Sequence, residues 1–201
     1  MKLDYYLVKR PLLGHKESEC GDIGLLREFE QKVFIGLADV LGHGRDARRI
    51  AITIKHYLEE NYRKDLIEII QGLHAEIMHS RGAVIAVCLL DLKAGELKYI
   101  GVGNIVVRKF GSSSASIVSR SGIIGYILPT PKEEIMQLYE GDILVLHTDG
   151  VKSYFKLGEY PELLKDDAKT VAMHIIHQFG KDEDDAACAV LRYRGGPKSP
   201  K

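Results

Sequence analysis

Acidic residues recur where this chain changes direction. Asp22 follows a glycine in CGD, Asp39 lies in LADVLGHG, Asp149 in HTDG, and the run DEDD fills positions 182–185. Each acid falls at the end of an apolar segment or in the turn beside one. Carboxylates are hard oxygen ligands suited to Mg²⁺ or Mn²⁺, and several of them gathered at strand ends make a cage for such ions. The chain has no H-E-x-x-H and no paired cysteines, which argues against a dedicated zinc site, and no P-loop, which disfavours a nucleotide phosphohydrolase.

Each acid also has a plainer reading. Asp149-Gly150 is a common hairpin dipeptide, Asp22 beside Gly21 an ordinary turn pair, and residues 182–185 a solvated charge run. Asp39 resists this treatment, because it closes the apolar run VFIGLA, where a merely structural charge is expensive. His43, between Gly42 and Gly44, either donates a proton to a leaving oxygen or simply shapes the bend. His174 and His177, three residues apart, read as a plain helical face, since no acid or histidine follows one turn later.

Lys plus Arg and Asp plus Glu both total 28, so no general field attracts nucleic acid or an anionic membrane, and any charged chemistry is local. Cys20, Cys88 and Cys188 are odd in number and far apart, the pattern of reduced thiols, and two of them lie in apolar runs where cysteine acts as a small core residue. The opening MKLDYYLVKRP lacks an apolar signal core, and no stretch approaches the roughly 20 apolar residues that span a bilayer. The expectation is one cytoplasmic domain over residues 1–194 with a disordered tail at 195–201.

The elements that must position the acids follow from periodicity. Residues 3–9 read as a strand, and 24–30 with 33–39 as a hairpin turning at Gln31 and Lys32. Apolar residues at three and four residue intervals predict helices over 45–62 and 65–79, the second capped by Asp65. The runs AVIAVCLLDL, ELKYIGV and NIVVRKF predict antiparallel strands, followed by a Ser-rich loop at 111–116 and an unassigned segment at 121–132. EIMQLY and ILVLHTDG form another strand pair about the turn EGD, 162–179 is helical, and AACAVLRYR closes the sheet. Strands joined mainly as antiparallel neighbours favour an α+β fold with packed layers.

Taken in order, GD at 21–22, ADVLGHGRDA at 38–47, YIGVGN at 99–104, EGDILVLHTDG at 140–150 and DDAACAVLR at 184–192 resemble the metal-dependent serine/threonine phosphatases of the PPM type. Within them the chain is similar to the bacterial SpoIIE and RsbU group, and most of all to stressosome phosphatases of the RsbX type. The resemblance implies a four-layer α/β/β/α sandwich, two antiparallel sheets flanked by helices, holding two divalent cations, Mn²⁺ or Mg²⁺. It implies that Asp39 bridges both, that Asp22 and the Val40 carbonyl complete one site, and that Asp149 and Asp184 complete the other, Asp184 being taken over Asp185 because the family's closing motif begins with the liganding acid. Asp39 and Asp149 carry the catalysis in that reading. Two such cations roughly 4 Å apart activate a water for in-line attack on phosphorus.

The substrates implied are phosphorylated STAS-domain stressosome proteins, with neither nucleic acid nor membrane as partner. Alternatives are an RsbU-like phosphatase of an anti-anti-sigma factor and a non-catalytic binding module of the same fold. The chain departs from the family in three places: no residue matches the arginine with which larger relatives hold phosphate, Ala187 stands where threonine is usual, and His147 precedes T-D-G.

Overall fold

The computed structural model describes residues 4–152, 155 and 157–199. Its strands are β1 (Asp4–Arg10), β2 (Asp22–Phe29), β3 (Lys32–Val40), β4 (Ala83–Asp91), β5 (Glu96–Val102), β6 (Val106–Phe110), β7 (Ala115–Ile117), β8 (Glu134–Gln137), β9 (Ile143–His147) and β10 (Ala186–Arg192). The α-helices are α1 (Arg45–Asn61), α2 (Leu66–Glu76) and α3 (Ala168–Phe179). One sheet has the order β1-β10-β9-β6-β7 and the other β2-β3-β4-β5-β8, with every neighbouring pair antiparallel.

Strand periodicity explains why the sheets stack. In β3, alternate residues point to opposite faces: Phe34, Ala38 and Val40 join a core with Ala51, Ile54 and Leu58 of α1 and Ile69, Ile70 and Leu73 of α2. Val33, Ile35 and Leu37 face the other way, into a second core shared with Leu144 and Leu146 of β9 and Ala189 and Leu191 of β10. A third core lies outside that sheet, where Val145 and Val190 meet Val171 and Ile175 of α3. The result is the expected α/β/β/α sandwich. Burial on both faces fixes the register of β3, because a one-residue slip would exchange its two apolar sets. Asp39 is positioned by that register.

The structure departs from the sequence reading in several places. EIMQLY and ILVLHTDG are not a strand pair: β8 borders β5 at the edge of one sheet, while β9 lies between β10 and β6 in the other. β5 and β6 likewise fall in different sheets, because Met136 and Leu144 meet across the shared core rather than within one ladder. The β2–β3 turn sits at Glu30 and Gln31, one residue earlier than expected, with φ of 48° and 62°. Two left-handed residues match the right-handed twist of the strands, and here the paired strands impose that conformation without the usual Asn-Gly. The last two residues of the Ser-rich segment, Ala115 and Ser116, become part of β7, paired with β6 through Val107 and Ile117. The segment at 121–132 is tied in by single bridges, Ala83 to Ile124 among them, with Ile124 fully buried. The last helix begins only at Ala168, because Asp167 caps it by accepting from the Thr170 N–H at 2.7 Å.

Asp65 caps α2 through the Ile67 N–H, and all three cysteines are buried and free. Among the described residues no helix is long and apolar enough to cross a membrane. Pro197 accepts a hydrogen bond from the Glu140 N–H at 2.9 Å.

Candidate metal centre

Two sheets bring their acids to one end of the sandwich. In the β2–β3 ladder Asp22 lies directly opposite Asp39. From the other sheet, Thr148 and Asp149 follow β9, and Asp184 and Asp185 precede β10, the partner of β9. The dipeptide Asp149-Gly150 is no hairpin turn. A Cβ on Gly150 would stand 1.8 Å from the Asp185 carbonyl oxygen, so only glycine lets the two segments touch. Gly21 has a related role: a Cβ there would lie 3.2 Å from the Gly42 carbonyl oxygen and 3.3 Å from that of Val40. The backbone before Asp22 is thus pressed against the bend that carries His43.

Asp22 is fully buried, and its Oδ2 accepts from the Thr148 hydroxyl at 2.7 Å. Its Oδ1 is buried without a hydrogen-bond partner. Burial first, then the neighbouring Asp39, holds this carboxyl well above the usual range, and the Thr148 hydroxyl opposes them only in part. Asp39 is pushed up to about 7 by burial and then by Asp149, Asp184 and Asp185. Asp184, raised by burial and by Asp149, accepts at Oδ1 from the Asp185 N–H at 2.9 Å. Asp149 Oδ2 accepts from the Asn104 side-chain amide at 2.8 Å. These acids destabilise one another's charge, and a cation among them would relieve both the repulsion and the unmet Oδ1.

Asp185 differs from its neighbour. Its Oδ1 accepts from the Leu12 N–H and its Oδ2 from the Gly21 N–H, each at 2.7 Å, so both oxygens are committed to fastening the segment that leads into Asp22. Thr148 has two jobs as well, donating to Asp22 and accepting from the Ala187 N–H at 2.9 Å. Thr148, Asn104 and Asp185 were not singled out by type and spacing for these tasks. The only sequence signal was their place inside T-D-G, G-V-G-N and D-D.

Among the described residues, no three acidic, histidine or cysteine groups already converge at metal-ligand distance. The donors point elsewhere: Asp22 toward Thr148, Asp149 toward Asn104, Asp184 toward the backbone. The residues nonetheless fit divalent cations in chemistry, being all oxygen donors, with an orphaned buried oxygen in their midst.

His43 is exposed in its bend and meets the ring of His15 edge-on, with ring centroids 5.4 Å apart. His147 is fully buried and packs 5.3 Å from the Phe155 ring. Its Nδ1 donates to the Thr148 carbonyl at 2.9 Å, and burial lowers its pKa to about 4. His174 and His177 lie on α3, where the His174 ring meets those of Tyr160 and Phe179 edge-on.

Comparison with known proteins agrees with this architecture. The family model for stage II sporulation protein E (SpoIIE) matches residues 30–194. No curated protein sequence gives a significant match. A solved chain described as "The bacterial stressosome: a modular system that has been adapted to control secondary messenger signaling" is 29% identical, with a TM-score of 0.86 over 96% of this chain and 100% of that one. RsbX crystallised with magnesium superposes with a TM-score of 0.81 at 19% identity, over 94% of both chains. The S. agalactiae serine/threonine phosphatase gives 0.75 at 16% identity, over 96% of this chain and 100% of its own. At those last two identities the likeness is one of fold.

Proposed function

As a member of the SpoIIE family of protein serine/threonine phosphatases, the chain carries an acid cluster that we propose binds divalent cations and removes phosphate from phosphoserine or phosphothreonine in proteins. The observation that carries the proposal is the buried, unpartnered Oδ1 of Asp22 among carboxyls that raise one another's pKa. We assign Asp22, Asp39 and the Val40 carbonyl to one cation, and Asp39, Asp149 and Asp184 to a second, either Mn²⁺ or Mg²⁺. When bound, such ions supply Lewis acidity, which activates water and offsets charge on the phosphoryl oxygens.

The chain's own residues then have definite tasks. The Thr148 hydroxyl holds Asp22 in one orientation, and the Asn104 amide does the same for Asp149. Asp185 fastens the segment before Asp22 to the β10 edge, so the two sheets' acids keep their spacing. Outer partners of this kind commonly matter ten- to hundred-fold to a metal site. Asp39 and Asp149, one from each sheet, face the reacting phosphoryl group.

The substrate we favour is a phosphorylated STAS-domain protein of a bacterial stressosome, in a partner-switching pathway. The resemblance of five ordered motifs to RsbX-type phosphatases supports it, as does the similarity to the stressosome-related chain above. The test is hydrolysis of phosphorylated stressosome components in Mn²⁺, with EDTA and Asp39→Ala as controls. Release of phosphate by the wild type alone, abolished by EDTA, is the expected result. Turnover no greater than that of Asp39→Ala would make the protein a binding module.

A further inference from the structure

Next to the proposed metal centre, with Asp149 on its wall, opens a cavity of about 350 Å³. Asp149, Asn104, Lys152 and Lys181 all line it. The two lysines are not held there by chance. The Lys152 N–H donates to the Phe179 carbonyl and the Lys181 N–H to the Gly150 carbonyl, each at 2.8 Å, about the bridge between Val151 and Gly180. This short ladder fastens both backbones to the segment that carries Asp149.

Neither ammonium has an ion-pair partner among the described residues. Asp182, the acid nearest Lys181 in sequence, pairs instead with Arg10 at 3.3 Å. Val106 and Val151 supply apolar wall. His147 also lines the space: its Nδ1 carries the proton, since it donates to the Thr148 carbonyl, so its buried and unpartnered Nε2 is a bare acceptor.

Two cations on anchored backbones beside an apolar wall describe a site for a polypeptide carrying negative charge. A phosphoryl group alone has no apolar stem for the valines to cover, whereas an aspartyl or glutamyl side chain has one. From this geometry we infer that the cavity receives an acidic residue flanking the phosphorylated one, recognised by Lys152 and Lys181, so that these lysines determine substrate specificity. The inference rests on the phosphatase reading above. It also answers a physical problem, since a cluster of carboxylates repels an acidic substrate and two cations at its edge offset part of that repulsion.

The test uses the full chain in Mn²⁺ with two phosphoserine peptides that differ only in the flanking residues, glutamate in one and lysine in the other. Both kcat/KM and binding by fluorescence anisotropy are measured. The wild type is expected to favour the glutamate peptide by about ten-fold in both readouts. The double variant Lys152→Glu/Lys181→Glu reverses the preference, while Lys181→Arg keeps it. Because each result is a ratio between two peptides, partial misfolding does not mimic it, and Lys152→Ala and Lys181→Ala serve if the double variant does not fold. An unchanged ratio in the variants, or an equal loss on both peptides, would overturn the inference. Should the wild type turn over neither peptide, the phosphatase reading fails, and the anisotropy ratio still decides what the cavity binds.

Discussion

Strand β9 separates two buried acids of opposite character. At its start Asp142 is fully buried, and its oxygens are answered: Oδ1 accepts from the Ser112 N–H, and Oδ2 from the Ser112 hydroxyl and the Tyr139 N–H. Lys109, only 4% exposed, places its ammonium 3.5 Å from that Oδ2. At the other end Asp22 is just as buried, yet it has one donor, one orphaned oxygen and acids for neighbours. Burial is equal, and the supply of donors differs. A buried carboxylate that the protein has satisfied is part of the scaffold, whereas one left unsatisfied beside other acids is the kind of group a bound cation would satisfy.

The sharpest way to break this contrast is to delete each acid in turn. Asp142→Ala leaves Lys109 uncompensated in the interior and should cost about 3–5 kcal/mol of stability, seen as a lower denaturation midpoint, with no change in metal requirement. Asp39→Asn should do the reverse in the metal-free protein. A carboxyl with a folded pKa of about 7, against a usual 3.8, keeps its proton in the native state across that interval. Its contribution to stability is therefore full below the unfolded pKa and is lost as pH rises through about 7. In EDTA, Asp39→Asn should exceed the wild type by about 4 kcal/mol at pH 8 and by less than about 1 kcal/mol at pH 4.

Smaller effects test the supports. Thr148→Val removes the one donor to Asp22 and the acceptor for the Ala187 N–H, and should weaken metal binding by roughly 10- to 100-fold in a calorimetric titration. Asn104→Ala removes the donor to Asp149 and should weaken it about ten-fold, measured in the same way. If Thr148→Val left metal affinity untouched while Asp142→Ala changed it, the assignment of scaffold and site would have to be exchanged.

Much of this organisation was legible in the sequence, for a physical reason. Strands buried on both faces write themselves as apolar runs, so VFIGLA and ILVLH announced β3 and β9, and acids closing such runs announced the end of the sandwich where they gather. What could not be read is polar and distant. Thr148 meets Asp22 across 126 positions and Asp185 meets Gly21 across 164, partnerships that no local pattern encodes. The buried Lys109–Asp142 pair was equally hidden, since RKF and EGD each look solvent-facing in isolation. The turn at Glu30 and Gln31 escaped because strand pairing, not residue preference, sets its left-handed backbone. The late start of α3 is the exception, as Asp167 is a recognisable cap ahead of the apolar period.

The central claim is that the unsatisfied end of the sandwich binds divalent cations through its acids. Thermal unfolding with increasing Mn²⁺ tests it directly, because a ligand that binds only the folded state raises stability with the logarithm of its concentration. The wild type should show a midpoint that climbs with Mn²⁺ and returns to its starting value in EDTA, while Asp39→Ala stays flat. A midpoint that ignores Mn²⁺, or that climbs equally in both proteins, would contradict the account.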